Sequence, residues 1–413
     1  MDQVEKVKEK GTRDLGQGTC ESPLWFRDAV IYHILIDRFA GYDSTIEWKQ
    51  PVFMGGTFNG IKEKLGYLAD LGVNTLWLSP VNSTSAYHGY HITDFYNTDT
   101  HFGTTGELKE MIGAAHRRNI RVIMDFVPNH CSHQHPIFLQ AQMHNNSPYH
   151  LWFYFNLSGT RYKSFLHFHE LPKINLDNKD ACKHVLGAAK FWLSIGFDGF
   201  RLDHAVGPSL AFWKKFRHEV KTSAPEAVLI GEAWLEGING MMLKTIQIRN
   251  KYLRWMFRFN PWDIQLEYKD VFDGVLDFYF RHRITEFIAW KEDPGTHLKI
   301  LKTLLDKHYA RFPVNYYLPT FVDNHDMNRF LFDAGQDIEK LKLALKLQMS
   351  LPQPPILYYG TETGLTHDTV VSMNTPNSDI QARRPMPWES LNYPLIEYCK
   401  ELIAERKQGL WGL

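Results

Sequence analysis

Eight short runs of apolar, β-branched and aromatic residues recur along the chain, and their spacing constrains the fold more than any other feature. They are AVIYHILIDRF at 29–39, NTLWLSP at 74–80, RVIMDFVPNH at 121–130, GFDGFRLD at 196–203, AVLIGEAW at 227–234, GVLDFYF at 274–280, YYLPTFVDNHD at 316–326 and PPILYYGTE at 354–362. Most are separated by stretches whose apolar residues return with helical spacing, such as FNGIKEKLGYLADLG at 58–72, TGELKEMIGAAHRRN at 105–119 and LKLALKLQMSL at 341–351. Strands alternating with helices pair in parallel. The 413 residues exceed the ~250 to 300 that one simple core serves. The chain is therefore expected to be an α/β protein built as a (β/α)8 barrel, with a doubly wound open sheet as the alternative.

One interval breaks the rhythm. Residues 131–180 lack a clear amphipathic helix and hold HPIFLQAQMHNNSPYHLWFYF and HFHELPKINLDN instead. An insertion of that length after a barrel strand is expected to form a lobe over the C-terminal face, where such barrels keep their sites. The barrel then takes 25–130 and 181–413. Polar residues 1–24 are expected to be a flexible lead, and a helix near 393–407 closes the chain.

Charge narrows the partners. Lys plus Arg number 46 and Asp plus Glu number 46, so no field of one sign recruits nucleic acid or an anionic membrane, and a neutral partner fits better. Aromatic residues make up 14%, with 12 Trp and 19 Tyr. Flat rings with a polar edge suit stacking on sugars as well as filling a core. Cys20, Cys131, Cys182 and Cys399 form no CxxC pair, the first ten residues are too charged for a signal peptide, and no run of ~20 apolar residues occurs. A cytoplasmic protein is expected.

The stretch GFDGFRLDH at 196–204 sets Arg201 and Asp203 two residues apart. On a strand both point to one face, with Phe200 and Leu202 on the other. Polar residues at the C-terminal ends of the strands are Asp125, Asn129 and His130, then Arg201 and Asp203, then Glu232, then His325 and Asp326. No HExxH, Gly-rich phosphate loop or GxSxG accompanies them. Carboxylates gathered at a barrel mouth suit cleavage of a glycosidic bond, in which one attacks the anomeric carbon and another protonates the leaving oxygen. The bland alternative for any one of them is a solvated loop acid or a core ion pair.

These segments resemble the α-amylase family of glycoside hydrolases (family 13). DFVPNH at 125–130, GFRLDH at 199–204, GEAW at 231–234 and FVDNHD at 321–326 are similar to its four main motifs in order. GVNTLWLSP at 72–80, LPKIN at 171–175 and YYGTE at 358–362 resemble three accessory ones. The resemblance implies retention of configuration, with Asp203 as nucleophile, Glu232 as general acid/base and Asp326 as the carboxylate that binds sugar hydroxyls and stabilises the transition state. Arg201 would lower the pKa of Asp203 and keep it ionised, while Glu232 needs a raised one. His130 and His325 would hydrogen-bond the sugar. AYHGYHITDFY at 86–96 resembles a further signature, in which the Tyr90 ring stacks under the reacting sugar and His88 donates to its hydroxyl.

The chain departs from that pattern in places. Many α-amylases carry Lys-His at the positions held here by Val206 and Gly207; that Lys contacts sugar, and the carbonyl of the His position binds calcium. Asn129 resembles a calcium ligand, but Asn175 stands where calcium-binding members often carry Asp, and a set of six to eight oxygens cannot be assembled. No cofactor is expected to be required, and calcium remains the one candidate. LPKIN and Trp234 look more like the cyclomaltodextrinase and neopullulanase branch, in which Trp234 would contact substrate. The β-sandwich that usually follows the barrel is read as absent or vestigial. A zinc reading of HCSHQH, through His130, His133 and His135, lacks a fourth ligand. LWFYF at 151–155 either lines the sugar cleft or forms the lobe's own core. The expected substrate is an α-1,4-glucan, a maltooligosaccharide or a cyclodextrin. Glycosyl transfer through the same intermediate and a non-catalytic scaffold are the competing readings, and oligomeric state is left open.

Overall fold

Each of the eight runs supplies one strand of a single parallel sheet. The strands are β1 (Ile31–Ile34), β2 (Thr75–Leu78), β3 (Arg121–Phe126), β4 (Gly199–Leu202), β5 (Val228–Gly231), β6 (Gly274–Val275), β7 (Thr320–Phe321) and β8 (Pro355–Tyr358). The computed structural model describes residues 22–144, 146–159, 161–234, 261–372 and 375–409. The expected lead at 1–24 lies outside them up to position 21. Strand order is β6-β5-β4-β3-β2-β1-β8-β7, all parallel. The remaining edge closes where Gly274 bridges Tyr317 in parallel, with Tyr317 N–H donating to Asp273 O at 3.0 Å and Asp277 N–H to Pro319 O at 2.9 Å. That closure makes the sheet a barrel and disposes of the open doubly wound sheet. Gly274 permits it, since a Cβ there would lie 2.3 Å from Tyr317 O.

Period-two alternation sorts the side chains. Ile31, Trp77, Ile123, Val228, Ile230, Phe321 and Ile356 pack together inside the barrel. Tyr32, Leu76, Val122, Phe200, Leu202, Leu229 and Leu357 face outward into the layer shared with the helices. The helices carry the stop and start chemistry their sequences imply. The helix Phe58–Leu71 has Thr57 accepting from Gly60 N–H and ends on Gly72 at φ 93°. Thr104 and Glu107 form a capping box for Thr105–His116. Asn178 caps Lys179–Ile195, Ser209 caps Leu210–Ser223, Asp337 caps Ile338–Met349 and Asn392 caps Tyr393–Lys407.

Three runs are shorter as strands than the sequence suggests. The run at 29–39 leaves the sheet after Ile34 and makes a helical turn, Ile36–Phe39, because the Asp37 carboxylate collects the N–H groups of Met54 and Gly55 at 2.9 and 3.1 Å. The run at 274–280 pairs only through Val275; Asp277 accepts from Phe280 N–H at 3.0 Å and caps the helix Phe278–Ile284. In the run at 316–326, Pro319 has no N–H to give a ladder, and the strand is confined to Thr320–Phe321.

The insertion at 131–180 holds a short helix, Pro136–Met143, and an antiparallel pair, Ser164–Phe165 with Phe168–Pro172. It docks on a hairpin that the sequence reading did not anticipate, Asn82–Thr84 with Ile92–Thr98, through Ser132 N–H to Ile92 O at 2.8 Å. LWFYF resolves in favour of a lobe core. Phe153 is buried edge-on to Phe138 at 4.9 Å, and Phe155 stacks on His150 at 4.6 Å.

Candidate active site

Strand register assembles the centre. Asp125 on β3 pairs in register with Arg201 on β4, and Leu202 on β4 with Gly231 on β5, so Glu232 follows at the level of Asp203. Inward alternation then points Asp125, Arg201, Asp203 and Glu232 at one space above the apolar barrel interior. Arg201 is fully buried. Its Nη1 donates to Asp125 at 2.8 and 3.0 Å and to Asp203 Oδ1 at 2.9 Å, and its Nη2 lies 2.5 Å from Glu232 Oε1. One planar fork therefore fixes three carboxylates, an arrangement a lysine could not make.

Asp125, noted from sequence only as a strand-end acid, receives two more donors: Tyr90 Oη at 2.8 Å and Trp77 Nε1 at 3.2 Å. Tyr90 in turn stacks on His325, with centroids 5.1 Å apart and planes 8° apart. His325 Nε2 donates to Asp326 Oδ2 at 2.9 Å, and Arg383 Nη2 to Asp326 Oδ1 at 2.8 Å. Glu232 accepts from His204 N–H through Oε2 at 3.0 Å. Solvent reaches these carboxylates unequally: the side chains of Asp203 and Glu232 are 11% and 13% exposed, and that of Asp326 is 36% exposed.

Burial reverses one expectation. Arg201 does pull the Asp203 pKa down, but loss of water outweighs it, and Asp203 is pushed up to about 7. Burial likewise pushes Asp125 up to about 6 and raises Glu232. The physical reason is first the loss of water in a nearly closed site and then the charge ratio, one guanidinium facing three carboxylates, so the cluster holds on to protons. The raised pKa of Glu232 is the direction an acid catalyst needs. Asp326 goes the other way. Burial favours its neutral form, but His325 and Arg383 prevail and hold it well below the usual carboxylate range.

The remaining sugar-contact candidates take different places. His88 is half-buried, and its Nδ1 accepts from Tyr90 N–H at 3.2 Å, which leaves the proton on Nε2; burial keeps the ring neutral. His130 stacks on Phe165 of the lobe at 4.7 Å, and its Nε2 has no partner among the described residues. Trp234 stacks flat on Phe278 at 4.9 Å beside the barrel interior, and its Nε1 also lacks a partner among them. Sequence reasoning missed three neighbours. His33 stacks on Trp77 at 3.7 Å, and Trp77 lies under Arg201 at 5.3 Å. Both sit at inward positions that the same period-two rule could have found. Arg383 comes from the long loop after β8, where no periodicity marks it.

Near Asn129 the oxygens of the calcium reading are unevenly engaged: Asn129 Oδ1 is buried with no partner among the described residues, whereas the others are taken up. Gly207 O accepts from the Lys173 ammonium at 2.7 Å, and Asn175 Nδ2 donates to Leu151 O at 3.0 Å while its Oδ1 accepts from Asp177 N–H at 3.3 Å. Among the described residues no group of three or more His, Cys, Asp or Glu could hold a metal ion. The trio His130, His133 and His135 is accordingly not gathered; His135 Nδ1 is spent capping the helix Pro136–Met143 by accepting from Ile137 N–H.

A closed (β/α)8 barrel thus carries Asp125 on β3, Asp203 and Glu232 just past the ends of β4 and β5, and Asp326 after β7, all at its C-terminal mouth. The chain belongs to the α-amylase family: the family model "Alpha amylase, catalytic domain" matches residues 33–163 and 155–394. It is 35% identical to Alpha-amylase 2 of Dictyoglomus thermophilum over 94% of this chain and 64% of that protein. It is 31% identical to Neopullulanase 2 of Thermoactinomyces vulgaris over 93% of this chain and 63% of that one. The chain thus spans just under two thirds of the length of these curated relatives. Among solved structures, the cyclic α-maltosyl-(1→6)-maltose hydrolase of Arthrobacter globiformis superposes with a TM-score of 0.79 at 27% identity, covering 94% of this chain and 84% of that one.

Proposed function

We propose that the chain is a retaining glycoside hydrolase that cleaves α-1,4-glucosidic bonds in starch-type glucans, maltooligosaccharides or cyclodextrins through a glycosyl ester on Asp203. The observation that carries this reading is the Arg201 fork, which sets Asp203 and Glu232 on the two terminal nitrogens of one guanidinium. Retaining enzymes need their two carboxyl groups close, about 5–5.5 Å apart, whereas a wider gap admits a water for inversion. Asp203, in its ionised form, attacks the anomeric carbon while the Glu232 carboxyl gives its proton to the leaving oxygen. Glu232, then ionised, takes a proton from water, which opens the ester and frees Asp203. Asp326 stays charged throughout and faces the developing positive charge of the sugar ring. By the family resemblance His88 Nε2–H and His130 would hydrogen-bond sugar hydroxyls and the Tyr90 ring would stack under the reacting sugar. No metal ion or cofactor has a part in these steps. The relatives' names, α-amylase, neopullulanase and cyclic maltosyl-maltose hydrolase, support an α-glucan as substrate. The even charge balance argues against nucleic acid and membrane partners, and no helix among the described residues is long and apolar enough to cross a membrane. We retain the cytoplasmic reading on the ground of the scattered thiols.

The test is to supply starch, pullulan, β-cyclodextrin and maltotriose and to follow the first products by proton NMR. Initial α-anomer is expected. Initial β-anomer would sink retention, products longer than the substrate would favour transfer to sugar, and no turnover would favour a scaffold. The pH profile follows from burial. Activity needs Asp203 ionised, so kcat/KM is expected to fall as pH drops through about 7. A midpoint near the ordinary aspartate value of ~4 would show that Arg201 outweighs burial.

A further inference from the structure

The inserted lobe touches the barrel mouth through one cation that the mechanism above does not use. Lys173 sits at the end of the lobe's antiparallel pair, held by a bridge to His130 and by its own N–H donating to Lys163 O at 2.9 Å. The next N–H, that of Ile174, donates to Asn129 O at 2.9 Å, so the lobe is pinned to the end of β3 on both sides of this lysine. Lys173 makes no ion pair among the described residues. Its ammonium is spent on a carbonyl, Gly207 O, at 2.7 Å.

That carbonyl belongs to the turn that carries the general acid. Gly207 N–H donates to His204 O at 2.9 Å, and His204 N–H donates to Glu232 Oε2 at 3.0 Å. The turn is not in a relaxed shape. His204 stands at φ 43°, a conformation that a residue with a Cβ rarely adopts without support. Gly207 has no room for a side chain, since a Cβ would fall 2.2 Å from Asn129 Oδ1. A strained backbone that aims an N–H at a carboxylate needs something to hold it; Ala205 is tied through its N–H to Glu232 O and through its O to Trp213 Nε1 and Tyr268 Oη, and Lys173 is the charged group that holds the turn's other end, at Gly207.

We propose that Lys173 is a positioning residue for Glu232: its ammonium fastens the turn 204–207 from the lobe and so keeps the His204 N–H directed at Oε2. This rests on the function proposed above, with Glu232 as the group that protonates the leaving oxygen. The inserted lobe is then part of the acid catalyst's support, linked by a lysine in the chain itself and not by an exchangeable metal ion.

The experiment compares two substrates of the full chain and its Lys173→Met variant. Maltotriose has a poor leaving group that must be protonated, whereas 4-nitrophenyl α-maltoside releases a phenolate that needs little help. Lys173→Met is expected to lower kcat/KM on maltotriose, which reports only the steps through ester formation, about 10- to 100-fold, the range in which misplacement of a catalytic group by about an ångström is felt. On the aryl maltoside the loss in kcat/KM is expected to stay within about threefold, since ester formation there needs little general acid and the later step in which Glu232 acts as base does not enter kcat/KM. Lys173→Arg should recover most of the maltotriose rate. The thermal midpoint of the parent should be unchanged by EDTA. Equal losses on both substrates would reduce Lys173 to a structural role and overturn the proposal. So would a parent whose midpoint falls in EDTA and returns with calcium. Should the Met variant not fold, Lys173→Gln, which keeps an amide donor without the charge, carries the same comparison. A parent that cleaves neither substrate would instead overturn the proposed function, and the inference with it.

Discussion

An Asp203→Asn variant is expected to lose glycosidic cleavage by about 10⁴-fold or more, the scale on which loss of a covalent nucleophile is felt, and to resist denaturant better than the parent at pH 8. The second half of that expectation follows from burial. Asp203 has a folded-state pKa of about 7 against 3.8 for the free side chain. Between those pH values the folded protein binds a proton that the unfolded chain has released, so stability falls as pH rises from about 4 through 7. At pH 8 the full penalty applies, on the order of 4 kcal/mol. Asn keeps the shape and can still accept from Arg201 Nη1, but it has no charge to desolvate. Its advantage should be largest at pH 8, shrink to a small remainder near pH 4 and vanish below about pH 3, where Asp203 is neutral in both states. Urea midpoints at pH 8 and pH 4 measure it. A variant less stable than the parent at pH 8 would mean that pairing with Arg201 exceeds the cost of burial, and residual cleavage within tenfold of the parent would remove Asp203 from the nucleophile's role. The expected outcome, a more stable but inactive variant, fits the general trade in which a charged site is kept for function at some cost in stability.

Much of this centre could be read before the fold was seen, and the reasons are local. Period two in GFRLD places Arg201 and Asp203 on one face whatever the rest of the chain does, and the structure keeps Phe200 and Leu202 on the other. Eight runs of that kind suffice for a barrel because parallel strands alternating with helices have few ways to close. Electrostatics was less legible. The sequence shows that Arg201 is beside Asp203, but the number of other acids sharing it depends on strand register, which brings Asp125 and Glu232 to the same guanidinium. The loss of water in that closed cluster, with the neighbouring carboxylates adding to it, turns a lowered pKa into a raised one. Arg383 was invisible for a different reason. It lies 57 residues from Asp326 in an irregular loop, and only the path of that loop over the mouth brings Nη2 to the carboxylate. Lys173 likewise acquires its role from the way the lobe folds back, which no periodicity encodes.

Replacing Arg201 by Met should do the reverse of the Asp203 change on stability and the same on activity. Met fills much of the volume and packs against Trp77 in place of the guanidinium, so the effect isolates the charge. Asp125, Asp203 and Glu232 then remain in a nearly closed site with no cation, and removing one partner of a buried ionic cluster costs about 3–5 kcal/mol. The carboxylates respond by holding protons more tightly, which raises their folded-state pKa values further. The sign is therefore definite: the variant loses most stability at pH 8 and recovers it as pH falls and the folded protein takes up protons that the unfolded chain does not. At pH 5 the deficit should be small. Activity does not recover with it, because protonated Asp203 cannot attack the anomeric carbon. Arg201→Lys should regain part of the stability at pH 8, since a charge is restored. It should regain little activity, because a single ammonium cannot reach Asp125, Asp203 and Glu232 at once as the fork does. Urea titrations at pH 5 and pH 8 and initial rates on maltotriose decide the matter. A Met variant as stable as the parent at pH 8, or one destabilised equally at both pH values, would show that the three carboxylates do not depend on this one guanidinium.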